Sequence, residues 1–226
     1  MKVSTCEQRS PEWFALRVGI PTASEFASLV TSSGELSKTI PRYAKTLAAE
    51  KFSGRTLDAW EGNVWTERGQ AMEAEAIRLY EFATDCVVSP VGFVTTDDGR
   101  AGCSPDGLVG DDGLVEVKCL KAENHIEAIM YYNKHGRCEP GYVQQPQGQL
   151  WVCERKWCDL IFYHPVLPLL VIRQRPDEVL IKALGVAVSE VLKARDAILV
   201  ALGAMQTPVS VEAESSKAPE KKETLK

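Results

Sequence analysis

The sequence predicts an α/β (α+β) fold in which a central mixed β-sheet is flanked by helices. Three observations carry that prediction. Segments rich in β-branched and aromatic residues run between residues 86 and 119, and again over 157–163 and 169–174. Segments with apolar residues at helical spacing lie before, between and after them. At 226 residues with 45% apolar side chains, the chain can bury a sizeable core. The expected organisation is one domain over residues 1–206 and a charged tail over 207–226. That tail lacks aromatics and cannot offset the entropy of ordering by burial, so disorder is expected there.

Taken in order, Ser10 followed by Pro11 starts a helix and Gly19 stops it, so residues 11–18 form a short helix anchored by Trp13, Phe14 and Leu16. Thr22-Ala-Ser-Glu25 matches the capping-box pattern, which predicts a second helix from Ala23. The Ser24 hydroxyl then lies beside free backbone N–H groups, a setting that suits an anion. The plainer alternative is that Ser24 is a surface residue of a first turn. Residues 31–40 read as a loop whose one cation is Lys38, and 41–52 as a helix ended by Gly54.

From Val64 to Ala83 a longer helix sets Trp65, Gly69, Met72, Ala76, Leu79 and Ala83 in one apolar stripe. Glu73 lies at its edge, whereas Glu67 and Glu81 fall on the polar side. Glu73 is therefore the carboxylate of this helix expected to face the fold, the alternative being a solvated charge at the stripe border. Trp65 is either a core aromatic or a side chain that stacks on bases.

Cys86 to Thr95 reads as a strand with Pro90 at an edge or bulge. The Asp97-Asp98-Gly99 and Asp111-Asp112-Gly113 turns continue a meander. Ala122–Tyr132 is expected to be helical, and residues 136–141 to break it. Tyr142–Cys153 is helical, with Pro146 in its first turn or at a kink. Strands follow at 157–163 and 169–174. Pro176–Met205 is a long amphipathic helix, too often interrupted by charge (Lys182, Glu190, Lys193, Arg195, Asp196) to span a membrane.

A formal charge of -5 leaves a local basic channel open. The seven cysteines include no C-x-x-C pair, against a zinc ribbon or disulfide framework, and no apolar leader opens the sequence. A soluble, cytoplasmic protein is expected. His125, His135 and His164 lack paired metal spacing, and there is no nucleophile elbow or P-loop.

The chemistry concentrates between Arg100 and Cys119. Asp106 sits in a turn, and Glu116 and Lys118 share one face of a strand whose other face carries Val115, Val117 and Cys119. Two charges in an apolar strand are costly unless they pair or bind a metal. A turn carboxylate followed ten positions on by Glu-x-Lys is what metal-dependent phosphodiester cleavage needs. Hard oxygens hold Mg²⁺ and the ammonium steadies a water or a phosphate charge. On those residues alone, an ordinary turn and a charged edge strand remain the alternative.

Pro105-Asp106 with Glu116-Val117-Lys118 resembles the motif of the PD-(D/E)XK nucleases. The motif has company: Trp13 to Arg17, Thr22-Ala-Ser-Glu25, Gly69 to Glu73, Cys103 to Leu108, Cys119, then Tyr142, Gln145, Gln147 and Trp151. In that order these residues resemble the phage lambda exonuclease family, the YqaJ-type viral recombinases, over roughly Ser10 to Gly203. The resemblance implies a restriction-endonuclease-like core. It also implies that Asp106, Glu116 and the Val117 carbonyl bind catalytic Mg²⁺, with Glu73 at a second ion and Mn²⁺ as a substitute. Lys118 would orient the attacking water, and Arg17, Ser24 and Gln145 would hold a DNA 5′-phosphate. Gln144 and Gln147 are alternatives for that last position.

The implied activity is 5′→3′ digestion of one strand of linear double-stranded DNA, leaving a 3′ overhang. A homotrimeric ring around the DNA and a single-strand annealing protein as partner are implied as well. The rival readings are a structure- or site-specific endonuclease with the same metal core, and a non-catalytic DNA-end-binding scaffold.

Overall fold

The computed structural model describes residues 1–57 and 64–204, and for 64–70 and 204 the backbone alone. The tail expected from residue 207 and the side chain of Trp65 lie outside that description. Among the described residues eight strands form two sheets: β1 (Lys2–Ser4), β2 (Val88–Ser89), β3 (Phe93–Thr95), β4 (Gly102–Cys103), β5 (Gly107–Val109), β6 (Gly113–Cys119), β7 (Trp157–Tyr163) and β8 (Leu170–Gln174). The larger sheet has the order β2-β5-β6-β7-β8, and the smaller β1-β3-β4. Only the β6–β7 pair of the larger sheet is parallel, so that sheet is mixed, as the sequence predicts.

The helices are α1 (Pro11–Arg17), α2 (Ile40–Ser53), α3 (Val64–Thr84), α4 (Ala122–His135), α5 (Gln144–Cys153) and α6 (Glu178–Ala204). Ser10 caps α1 by accepting from the Trp13 N–H at 3.2 Å. Asp177 does the same for α6 through Val179 and Leu180, both at 3.0 Å, which starts that helix two residues after Pro176. Pro146 is the third residue of α5, where its missing N–H had no intrahelical partner to lose, so the helix runs on without the alternative kink.

Three expectations are corrected. The strand expected over 86–95 is two strands in different sheets, parted at Pro90: β2 pairs with β5, and β3 with β1 and β4. Thr22 to Glu25 does not form a capping box. Residues Ala23–Ser28 make a 3-10 turn without a side-chain cap, because buried Thr22 bridges Gly102 and its hydroxyl turns elsewhere. On α3 the stripe includes Ala76, but Leu79 is 43% exposed and Tyr80 is the fully buried residue. Tyr80 donates from its hydroxyl to Asp159 at 2.7 Å, which satisfies its polar tip and lets the ring enter the core.

The parallel β6–β7 pair requires a crossover, and α4 and α5 supply it. Glu116, Leu160 and Ile172 stand in register across three strands, as do Lys118, Phe162 and Leu170. Side chains opposite one another share a face. On this face Ala128 of α4 and Cys138 pack on Leu160, Phe162 and Ile172. On the other face Val115, Val117, Ile161 and Tyr163 pack on Ala76 and Tyr80 of α3. Glu116 and Lys118 are thus the polar interruption of a face that the crossover covers.

Candidate active site

Asp106 follows β4 and directly precedes β5. Because β5 begins at Gly107, opposite Val115, the N–H of Val117 has run past the end of its neighbouring strand. The Asp106 carboxylate takes that place, accepting from Val117 N–H at 2.6 Å, while the Asp106 N–H donates to the Val115 carbonyl at 3.1 Å. A side chain here completes a ladder that the backbone leaves open.

Glu116 is 4% exposed and each of its oxygens is engaged. Oε1 accepts from Lys118 Nζ at 2.8 Å and from Gln145 Nε2 at 2.6 Å, and Oε2 accepts from Gln149 Nε2 at 2.5 Å. The Gln145 carbonyl accepts from Lys118 Nζ at 2.8 Å, closing a triangle of glutamate, lysine and amide. Gln145 and Gln149 are one helical turn apart on α5, so both reach the same point of β6.

Burial pushes the Asp106 carboxyl well above the ordinary carboxylate range, and Glu116 and Glu73 push it further. Burial also raises Glu73, against the pull of Arg9, whose guanidinium lies 3.7 Å from its carboxylate; Glu116 adds to the rise. Desolvation lowers the Lys118 ammonium, but Glu116 and then Asp106 outweigh it and the net shift is upward. The three carboxylates Asp106, Glu116 and Glu73 therefore repel one another across a confined space, and the one ammonium among them stays charged.

Among the described residues no three His, Cys, Asp or Glu side chains are already gathered closely enough to hold a metal ion. The chemistry of the donor set nonetheless fits a hard divalent cation. It is made of carboxylate oxygens, with the Val117 carbonyl on the same strand, and their mutual repulsion is what a cation relieves.

A second group lies on α1 and the 3-10 turn. The Arg17 guanidinium stacks over the Trp13 ring, 4.1 Å from its centroid, and reaches the Thr22 hydroxyl at 3.4 Å. Thr22 in turn shares a 3.2 Å hydrogen bond with the exposed Ser24 hydroxyl. Desolvation lowers Arg17. Among the described residues Arg17 forms no ion pair, so this partly buried cation is left to an outside anion. The Trp13 indole donates to Ser104 at 2.7 Å and so fastens the Arg17 helix to the turn that carries Asp106.

The structure brings Asp106, Glu116, Lys118 and Gln145 into one network with Glu73 beside it, and Arg17 with Ser24 into another. The Gln145 amide bonds to Glu116 and Lys118, not to Arg17 or Ser24. Neither alternative glutamine faces either group. Gln147 is spent on the Arg175 carbonyl and the Asp177 N–H, and Gln144 lies among backbone groups of Val30, Ser32 and Pro140. Sequence reasoning missed Arg9, Thr22 and Gln149 as members of the site. For Gln149 a signal existed in its spacing of four from Gln145.

Residues 12–156 match the model of the YqaJ-like viral recombinase domain. The chain belongs to that family. All eight residues singled out in the sequence fall inside the matched span of this YqaJ-like chain, as does Gln149. Among solved structures, an alkaline exonuclease (LHK-Exo) from Laribacter hongkongensis is 33% identical with a TM-score of 0.74, over 86% of this chain and 97% of that one. The structure of LHK-Exo in complex with dAMP matches over the same shares at 32% identity and a TM-score of 0.74. A phage related exonuclease from Haemophilus somnus 129PT, 17% identical over 81% of this chain and 96% of its own, shares the fold at a TM-score of 0.62. No curated protein sequence matches the chain.

Proposed function

We propose that this YqaJ-like protein is a Mg²⁺-dependent exonuclease that digests one strand of linear double-stranded DNA from its 5′ end. The products are 5′-mononucleotides and a duplex with a 3′ single-stranded overhang. The observation that carries the reading is the linkage of two groups: the Asp106–Glu116–Lys118 network, and Arg17, which forms no ion pair among the described residues, stacks on Trp13 and is fastened to the same turn. The first can hydrolyse a phosphodiester; the second can recognise a terminal phosphate. Kinship with an alkaline exonuclease, itself seen in complex with dAMP, agrees with a DNA substrate and a mononucleotide product.

Asp106, Glu116 and the Val117 carbonyl would hold one Mg²⁺ and Glu73 would contribute to a second, with Mn²⁺ able to substitute. Bound there, the ions supply Lewis-acid polarisation and neutralise charge at the phosphodiester. Lys118, anchored by Glu116 and Gln145, presents its ammonium to the attacking water and orients it. Arg17 offers a planar fork to the 5′-phosphate, and the Thr22 and Ser24 hydroxyls add donors. Gln145 steadies Lys118 and Glu116.

A homotrimeric ring enclosing the duplex and a single-strand annealing partner complete the proposal, together with a cytoplasmic place of action. Among the described residues no helix is long and apolar enough to cross a membrane. The test uses end-labelled linear duplex with Mg²⁺, with and without a 5′-phosphate. Labelled mononucleotide should appear from the 5′ end, faster from phosphorylated ends, and closed circular DNA should survive. Cleavage of the circle would favour an endonuclease and overturn this reading.

A further inference from the structure

Gln149 is the least expected residue of α5. It is 1% exposed, amid buried Gly148, Leu150, Val152 and Cys153, at a place where an apolar side chain would pack without polar cost. Its Nε2 donates to Glu116 Oε2, and its Oε1 has no hydrogen-bond partner among the described residues. The amide cannot turn over to satisfy that oxygen, because Oε1 would then face the Glu116 carboxylate, acceptor against acceptor. A buried, half-satisfied amide is a cost that packing does not explain.

The occupancy of Glu116 gives the amide a use. Oε1 carries two donors, Lys118 and Gln145, and so has no lone pair left. Among the described residues Oε2 carries Gln149 alone, which occupies one lone pair and leaves the other. We infer that Gln149 is a positioning residue that locks the Glu116 carboxylate so that a single lone pair of Oε2 is presented to a divalent cation. Gln145 and Gln149, four residues apart, clamp the two oxygens from one helix. The carboxylate cannot rotate to bind an ion through both oxygens, and Glu116 is a one-oxygen ligand. Partners that orient a metal ligand in this way typically change metal affinity about 10- to 100-fold when removed.

The inference rests on the proposed role of Glu116 as a cation ligand, and the test separates the two. Mn²⁺ alone is titrated calorimetrically into wild type, Gln149→Met, Gln149→Leu and Glu116→Gln, without DNA, and thermal melts are recorded for each. Methionine and leucine keep the bulk and remove the donor. The expected result is a dissociation constant raised about 10- to 100-fold in the Gln149 variants. The Mn²⁺ concentration for half-maximal digestion should rise by the same factor, and the rate should recover at saturating Mn²⁺. A cooperative melt at or above the wild-type temperature would exclude loss of fold as the cause.

Should both variants fail to fold, the side-chain amide resonances of Gln149 in ¹⁵N-labelled wild type serve instead. They should shift on adding Mg²⁺, and resonances that stay fixed overturn the inference. Affinity within twofold of wild type in a folded Gln149 variant, alongside lost binding in Glu116→Gln, overturns the role of Gln149 alone. Wild-type binding in Glu116→Gln overturns the ligand reading and this inference with it.

Discussion

Three donors converge on the two oxygens of Glu116, so its neighbourhood is built around a negative charge rather than around bulk. Glu116→Gln keeps the shape but sets an amide nitrogen against amide and ammonium donors. Turnover should fall to background while duplex binding in a gel-shift assay persists; wild-type rates would remove Glu116 from the chemistry. Lys118→Ala should behave alike, since no other ammonium among the described residues lies in the network. Arg17→Ala should leave digestion of hydroxyl ends near wild type and abolish the preference for 5′-phosphorylated ends, read as the ratio of the two initial rates. The charges on β6 were legible in the sequence because they break an apolar alternation. Gln149 was not, because nothing in a run of glutamines says which amide faces inward until the helix has a direction. Ser24 was expected beside the free backbone N–H groups of a capped helix start, and a hydroxyl chain from Arg17 through Thr22 was found instead.

At the scale of elements, α5 packs closely on the 3-10 turn, and Gly148 permits the approach. A Cβ there would lie 2.2 Å from the Phe26 ring and 3.3 Å from Ala23. Gly148→Ala should therefore destabilise the protein by about 1–3 kcal/mol, as overpacking does, despite the better helix propensity of alanine. Urea denaturation measures it, and a stabilised variant would show that α5 yields without strain. On the opposite face of the sheet, Tyr80→Phe deletes the donor to Asp159, which Arg173 also holds through two bonds of 2.8 and 2.7 Å. The cost should be about 1–3 kcal/mol from a carboxylate oxygen left less satisfied in the core. The helices and the later strands were read nearly to their ends, since caps and breakers such as Ser10, Gly54 and Gly136 act locally. Pro90 was read only as an edge or bulge. That it hands the chain from one sheet to another depends on partners far away in sequence, which no local pattern records.

For the whole molecule, the proposed ring predicts a native mass three times the 24.9 kDa of one chain, measured by native mass spectrometry. A monomer that digests long duplexes without releasing them would count against enclosure as the source of processivity. Chelation by EDTA should stop digestion and added Mg²⁺ or Mn²⁺ restore it, whereas activity in EDTA would refute the metal assignment. The fold class could be read from alternating strands and helices. The pairing of Arg17 with the Asp106 turn could not, since it depends on one indole bond across 91 residues.

The bond from Val117 N–H to Asp106 has a consequence for observation. The β6 amides that face β7 are protected from deuterium by that strand, but that of Val117 is protected by a carboxylate at a turn. Its exchange rate therefore reports whether the turn is seated on the strand, with no DNA, ion or reaction required. In Asp106→Ala the Val117 amide should exchange fast while the β6 amides facing β7 stay slow, which makes one backbone deuteron a gauge of whether the centre is assembled.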